Sequence, residues 1–317
     1  MKNKLNILVT GCGGDIGQSI GKILNECDFV KYLVGCDISD KNAGKFIFEN
    51  FFLGLPCSDS NYLKSLEDVV ENKEIDLIIP IAEPELRFLS QSQIIDKIGK
   101  AQILCANSES LEIGFDKLKT AKFLEKNKLP FPKTEQITDI NEFVDYPVIL
   151  KSKSGSGSSS VYIARDQTDF DYIKLKHPDF IVQEYLTSHE GEFTCGLFRT
   201  KKGMIRSIIL KRELTGGYSG YGEVIRNQEI TSVLIQIAEK LNLIGSINVQ
   251  LRLTSKGPVV FEINPRFSST VLFRHKFGFN DLLWSIEDQT NQELSKYIEV
   301  ESGRKFYKGF SEFIDHK

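Results

Sequence analysis

Apolar and polar positions change period several times along this chain, and the changes mark its elements. Leu5 to Thr10 is a short apolar run that ends in glycines. From Asp15 onward Ile16, Ile20, Ile23, Leu24 and Cys27 recur at helical spacing. Tyr32 to Ile38 reads as a second strand, Leu63 to Val70 as a helix, and Ile75 to Ile81 as a buried strand. Leu86 to Ile98 is expected to be helical and Ile103 to Cys105 a short strand. Strands alternating with helices predict βαβ units on a parallel sheet, so residues 1–108 are expected to form a doubly wound domain.

The pattern then changes. Ser110 to Lys126 predicts one amphipathic helix with Leu111, Leu118, Ala121 and Leu124 on a stripe, stopped by Pro130 and Pro132. Pro147 to Lys151 is a strand, Ser152 to Ser160 a Gly/Ser loop, and Val161 to Ala164 another strand. A phosphate-binding P-loop would place a helix after such a loop, and here a strand follows. Phe180 to Tyr185, Glu192 to Phe198 and Ile205 to Lys211 read as strands. Glu229 to Leu241 is a helix with Ile230, Val233, Leu234, Ile237, Ala238 and Leu241 on one face. Ile247, Val249, Leu251 and Leu253 then alternate with Asn248, Gln250 and Arg252, a half-buried strand. A turn at Lys256-Gly257 leads into a returning strand, Val259 to Asn264.

A chain of 317 residues suits two or three packed subdomains. Its 41% apolar and 26% charged residues are an ordinary soluble composition, and a net charge of −3 with both signs spread along the chain suggests neither a nucleic-acid nor a membrane partner. The apolar stretch at the N-terminus is too short for a signal peptide or a membrane span. The six cysteines, Cys12, Cys27, Cys36, Cys57, Cys105 and Cys195, show no CxxC spacing and read as free thiols in a reducing, cytoplasmic setting.

Thr10-Gly11-Cys12-Gly13-Gly14-Asp15-Ile16-Gly17 matches TGxxGxxG between a strand and a helix, with Asp37 ending the next strand. That is the context of a dinucleotide fold. Tyr172 and Lys176, with Ser159 upstream, add the pair a short-chain dehydrogenase would need, so an NAD(P)-dependent oxidoreductase is a rival reading. Against it, His177-Pro178 breaks the Tyr172–Lys176 stretch, and the reading leaves the C-terminal motif unused. The glycines also serve a tight turn without any nucleotide.

The most informative segment is Val260-Phe261-Glu262-Ile263-Asn264-Pro265-Arg266. Strand alternation places Glu262 and Asn264 on one face and Phe261 and Ile263 on the other. A hairpin symmetric about Lys256 sets Gln250 opposite Glu262. Three oxygen-bearing side chains then converge, a donor set that suits Mg²⁺ completed by water and phosphate oxygens.

FEINPRF, preceded by GSINVQ, resembles the metal-binding hairpin of the ATP-grasp enzymes, most closely their carbamoyl-phosphate-synthase-like branch. The resemblance covers about residues 110–280. It implies an α/β chain in three parts: a leading Rossmann-like parallel-sheet domain (1–108), a small ATP-grasp subdomain with a lid loop (109–184), and a C-terminal subdomain carrying the hairpin (185–317), the last two with antiparallel sheets. It implies that Glu262 bridges two Mg²⁺ ions, with Mn²⁺ as an alternative, and that Gln250 and Asn264 complete the set. Many relatives carry an acid where Gln250 stands. Arg266 would hold the acyl phosphate or the tetrahedral intermediate. Lys117, in Gly114-Phe115-Asp116-Lys117, and Lys151, in VILKSKSGSGSSSV, resemble the two phosphate-contacting lysines. Gly155, Ser156, Gly157 and Ser158 would close over the phosphates of ATP, small residues letting backbone amides approach. Gln183, Glu184 and Leu186 resemble the adenine-binding hinge. Glu192 resembles the ribose carboxylate, with Glu190 as substitute.

The expected activity is that of an ATP-dependent carboxylate–amine ligase, acting on small molecules through an acyl phosphate and releasing ADP. A homodimer is common in the family. A non-catalytic ATP-binding module is a third reading. Specificity is expected around Glu83-Pro84-Glu85 and in the Tyr218 to Arg226 loop, and Lys211 and Arg212 end a strand that faces either the substrates or solvent.

Overall fold

The alternating apolar runs of the first hundred residues build a six-stranded sheet in the computed structural model, which describes residues 4–140, 145–155, 161–187 and 191–315. Its strands are β1 (Leu5–Thr10), β2 (Val30–Asp37), β3 (Asn50–Leu53), β4 (Leu77–Pro80), β5 (Lys97–Ile98) and β6 (Ala101–Ile103), in the order β3-β2-β1-β4-β6-β5. All pairs are parallel except the β5–β6 edge. Helices α1 (Asp15–Asn25), α2 (Tyr62–Asn72) and α3 (Glu83–Gln91) cover it, and strands buried on both faces explain the nearly unbroken apolar runs. The parallel-sheet expectation is therefore correct. The helix expected over Leu86 to Ile98 is not: it ends at Gln91, Gln93 turns to a φ of 58°, and the chain enters the β5–β6 hairpin across Gly99. Strand β3 carried no period that a sequence reading could use.

The single helix expected over Ser110 to Lys126 is two, α4 (Ser108–Gly114) and α5 (Lys117–Lys126). The break is local chemistry. Asp116 is extended, and its carboxylate accepts from the amides of Leu118 (2.9 Å) and Lys119 (3.1 Å), an N-cap that starts a new helix. Beyond it, β7 (Thr134–Gln136), β8 (Val148–Ser152), β9 (Val161–Ala164) and β10 (Phe180–Glu184) form an antiparallel sheet in the order β7-β10-β8-β9. Helix α6 (Gln167–Lys176) closes a separate small core over it through Phe170 and Ile173.

The third sheet, order β15-β14-β11-β12-β13-β16, contains β11 (Glu192–Arg199), β12 (Ile205–Thr215), β13 (Tyr218–Ile225), β14 (Gly245–Thr254), β15 (Gly257–Asn264) and β16 (Lys305–Tyr307). Helix α7 (Gln228–Lys240) buries the predicted stripe of Ile230, Val233, Leu234, Ile237 and Ala238 against it, each large side chain contributing about 1.5–3 kcal/mol of burial. Helices α8 (Val271–Phe277) and α9 (Asp281–Gln289) lie on the other face and reach back, so that Val271, Leu282 and Ile286 share a core with Ile20 and Ile23 of α1. This packing sets the parallel sheet beside the third sheet. The six cysteines are free. Among the described residues no helix is long and apolar enough to cross a membrane.

Candidate active site

A cleft of about 1220 Å³ runs between the three sheets. A single small ligand occupies roughly 300–1,000 Å³, so this volume accommodates a nucleotide and a second substrate together. Lys117, Lys151, Gly155, Gln183, Glu184, Leu186, Glu192, Gln250, Glu262, Asn264 and Arg266 all line it. Ser156, Gly157 and Ser158 lie outside the described residues, as do Ser159 and Glu190.

The hairpin register expectation is correct at the Gln250–Glu262 end. Gln250 pairs with Glu262 and Asn248 with Asn264. Past Gln250 a bulge shifts the register, so that Leu251 faces Val260. The bulge corrects one expectation: Phe261 does not lie on the face opposite Glu262 but also lines the cleft, where the Lys151 ammonium sits 5.7 Å from its ring. Ile263 is fully buried beneath, as alternation requires. Glu262, Gln250 and Asn264 offer hard oxygens. Among the described residues no group of three or more His, Cys, Asp or Glu could hold a metal. One carboxylate with two carboxamides does not make an all-protein cage, but it fits Mg²⁺ that takes its remaining oxygens from water and phosphate.

The lysines come from two different elements. Gly114 packs so closely on Pro265 that a Cβ there would come 2.7 Å from its ring, and this contact brings the start of α5 to the hairpin. The Lys117 amide donates to the Lys153 carbonyl (2.9 Å), while its ammonium donates to the Gly155 carbonyl (2.8 Å) and lies 3.6 Å from Glu262 Oε1. Lys151 is buried on β8 and donates to Gln183 Oε1 (2.8 Å), whose Nε2 in turn donates to Thr134 (2.9 Å). Burial lowers the Lys151 ammonium to about 8, with Lys117 adding to the shift and Glu262 and Glu192 opposing it.

That shift gives a testable result. In the free protein Lys151 loses its proton above about pH 8. An anionic phosphate beside it restores the proton, so nucleotide binding is expected to take up a proton and to weaken as pH rises from about 8 toward the ordinary lysine value of roughly 10.4. Calorimetry above about pH 8, in two buffers of different ionisation enthalpy, reads the uptake, and Lys151→Met removes it. Binding without proton uptake in the native protein would contradict the placement.

Glu192 sits mid-sheet, with Arg212 opposite on one side and Arg252 on the other. It accepts from Arg212 at 2.6 Å and pairs with Arg252 at 3.2 Å. Arg252 also donates to the Leu186 carbonyl (2.8 Å) and so ties the hinge to the sheet. Glu184 is anchored by its amide to the Lys133 carbonyl (2.8 Å). Arg212 therefore faces the cleft, while Lys211 is exposed. Arg266 is held by its own bond to the Phe267 carbonyl (3.0 Å); burial lowers its pKa, and Glu83 and Glu262 oppose that.

Two residues were not legible in the sequence. Thr194 and Asn248 line the cleft on adjacent strands. The Asn248 oxygen accepts from Thr194 (2.9 Å) and from Arg274, so Asn248 offers the cleft its amide N–H. Asn248 lies inside the GSINVQ segment, which was the available signal.

The rival dehydrogenase pair does not assemble. Tyr172 and Lys176 touch each other on the outside of α6, packed on the second sheet and not on the parallel one. Asp37 turns inward, accepting from the amides of Gly13 (2.9 Å) and Ser39 (3.2 Å).

Residues 115–270 match the family model of the ATP-grasp domain. An ADP complex of N5-carboxyaminoimidazole ribonucleotide synthetase superposes with a TM-score of 0.76 at 15% identity, over 95% of this chain and 81% of that one. The Staphylococcus aureus N5-carboxyaminoimidazole synthetase, also with ADP, gives 0.74 at 18% over the same shares. An L-amino acid ligase from Bacillus licheniformis gives 0.70 at 17% over 91% and 75%.

Proposed function

We propose that this chain, whose residues 115–270 match the ATP-grasp domain, is an ATP-dependent carboxylate–amine ligase working through an acyl phosphate. The division of labour follows chain order: residues 1–108 hold a substrate, 109–184 carry the lid, and 185–317 carry the hairpin. The observation that supports this most is the convergence on one cleft of Glu262, Gln250 and Asn264 with Lys117 and Lys151, drawn from separate elements. The structural neighbours support it further: two are synthetases bound to ADP and one is an L-amino acid ligase.

Gln183, Glu184 and Leu186 take the adenine edge, which offers both a donor and an acceptor. Glu192, oriented by its two arginines, accepts from the ribose hydroxyls. Lys117 and Lys151 hold the phosphates. Glu262, Gln250 and Asn264 would hold Mg²⁺, which when bound supplies charge neutralisation at the phosphoryl oxygens. The substrate carboxylate attacks the γ-phosphorus in line and ADP leaves. The amine then attacks the acyl carbon and phosphate leaves. Arg266, placed between Glu262 and the first domain, steadies the acyl phosphate, which must be kept from water.

The test is an ADP-release screen over amino acids and small carboxylates, each paired with amines. ADP formed only when both partners are present is the expected result. Nucleotide binding with no ADP release from any pair would leave a binding module instead. A rise in melting temperature with NAD(H) and none with ATP and Mg²⁺ would restore the dehydrogenase.

A further inference from the structure

The hairpin of β12 and β13 runs past the body of its sheet. Strand β11 begins at Glu192, opposite Arg212, and β16 pairs only with Tyr221 to Glu223. Residues 213–220 therefore form a two-stranded ribbon with no third strand beside it, an arrangement that is marginal on its own. A bulge between Glu213 and Leu214 marks the base of the ribbon, and Gly216 and Gly217 turn its tip with φ of 59° and 88°. Leu214, Gly216, Gly217 and Tyr218 line the cleft, yet residues 213–217 are exposed. The ribbon is thus a flap on the rim of the cleft.

Among the described residues no hydrogen bond or ion pair joins this flap directly to the first domain; the C-terminal segment joins them instead. Phe306 on β16 is buried and stacks on Phe273, 4.2 Å between ring centres, which anchors the segment on the third sheet. Two residues later Lys308 makes three contacts. Its amide donates to the Gly220 carbonyl (2.8 Å), its ammonium pairs with Asp15 on α1 at 2.5 Å, and the same ammonium lies 5.0 Å from the centre of the Tyr218 ring. One cation holds a cleft-lining residue of the first domain and a cleft-lining residue of the flap.

Beyond Lys308 the segment crosses to the first domain. Phe310 sets its edge to Tyr218, Phe313 stacks on Phe46 at 5.2 Å, and Asp315 pairs with Lys45 at 2.6 Å. These contacts bury little: Phe310 is 76% exposed and Ile314 71%. A segment with so few buried contacts opens at low free energy. Asp15 also tolerates release, because it stands in the first turn of α1, where the helix favours a negative charge with or without Lys308.

We propose that residues 305–315 are a latch over the cleft and that Lys308 is its positioning residue. With Lys308 on Asp15 and Tyr218 the flap is held against the first domain and the rim is closed. With that contact broken the flap swings on its bulge and opens the cleft to a ligand. The latch does not depend on the ligase reading, since it governs access to the cleft whatever reaction follows.

The test is hydrogen exchange of the full chain, read by mass spectrometry, with alkylation of Cys57 by iodoacetamide as a second probe. Cys57 is a free thiol on the first-domain wall of the cleft. Lys308→Met is expected to speed exchange of the ladder amides in 213–221 by about fivefold, the combined worth of an ion pair and a cation–ring contact, and to speed Cys57 alkylation. Peptides from α7 and β14 should exchange at native rates. Asp15→Asn is expected to give a smaller acceleration. The double variant should exceed Lys308→Met by nothing, because the two residues act through one contact. Lys308→Arg, which keeps the charge, should restore slow exchange. In the native chain, rising KCl should speed the flap and leave α7 unchanged, since salt screens the pair.

Unchanged flap exchange in Lys308→Met overturns the proposal, as does an equal acceleration in Lys308→Arg. Faster flap exchange without faster Cys57 alkylation overturns the gating role. Should Lys308→Met not fold, flap exchange independent of KCl in the native chain overturns the latch equally.

Discussion

Glu262→Ala is expected to remove ATP turnover, by roughly 10³-fold or more, while the fold stays intact. Glu262 is the one carboxylate among the three oxygen donors that the hairpin brings together. Without it the cleft loses the negative charge that would retain a divalent cation and also loses the counter-charge 3.6 Å from the Lys117 ammonium. Metal-assisted charge stabilisation is worth several kcal/mol, and about 4 kcal/mol is roughly a thousandfold in rate. Stability should change by less than about 1 kcal/mol, because the side chain faces the cleft and its ion pair with Lys117 is long, at 3.6 Å. ADP release and chemical denaturation measured on the same preparation separate the two effects. Near-native turnover would refute the role given to this residue.

The largest loss of stability is expected from Arg274→Met. Arg274 and Asp281 are paired at 3.2 Å with exposures of 0% and 1%. Asp281 also accepts from Ser246 (2.8 Å), and Arg274 donates to Asn248. Gly196 leaves room for the guanidinium, since a Cβ there would come 2.9 Å from its carbon. Burial pushes the Asp281 carboxyl up, and Arg274 is the largest influence pulling it back. Removing the arginine strands a buried carboxylate, which costs about 3–5 kcal/mol. Replacing both partners, as in Arg274→Met with Asp281→Leu, should recover most of that loss in urea unfolding. If the single and double variants are equally unstable, the pair does not act as a charge pair. Because Arg274 also holds the Asn248 oxygen, the double variant is expected to fold yet bind nucleotide and substrates less well.

Much of the candidate site could be read from the chain because its donors lie close in sequence. Glu262 and Asn264 share one strand, and Gln250 is across a short hairpin, so alternation and a turn suffice to bring them together. The same reasoning failed at Phe261, where one bulge residue turned the side chain into the cleft; a bulge changes the count without leaving a mark in the hydrophobic pattern. It failed again at Ser110 to Lys126, where the stripe continued across a break that Asp116 had signalled as an N-cap. Helix α6 was missed because its apolar positions are few and serve only a thin core.

By itself the sequence determined the parallel sheet, the antiparallel hairpin and the family of chemistry, since each depends on period, glycine placement or a contiguous motif. Only the tertiary structure decided that Glu192 is clasped by Arg212 and Arg252 from both neighbouring strands, and that Glu85 stands in a cavity wall with two hydroxyls and no cation. Those facts depend on residues from 20 to 75 positions apart meeting at one place. Local pattern carries no record of such encounters, because the free energy that fixes them comes from packing whole elements against one another.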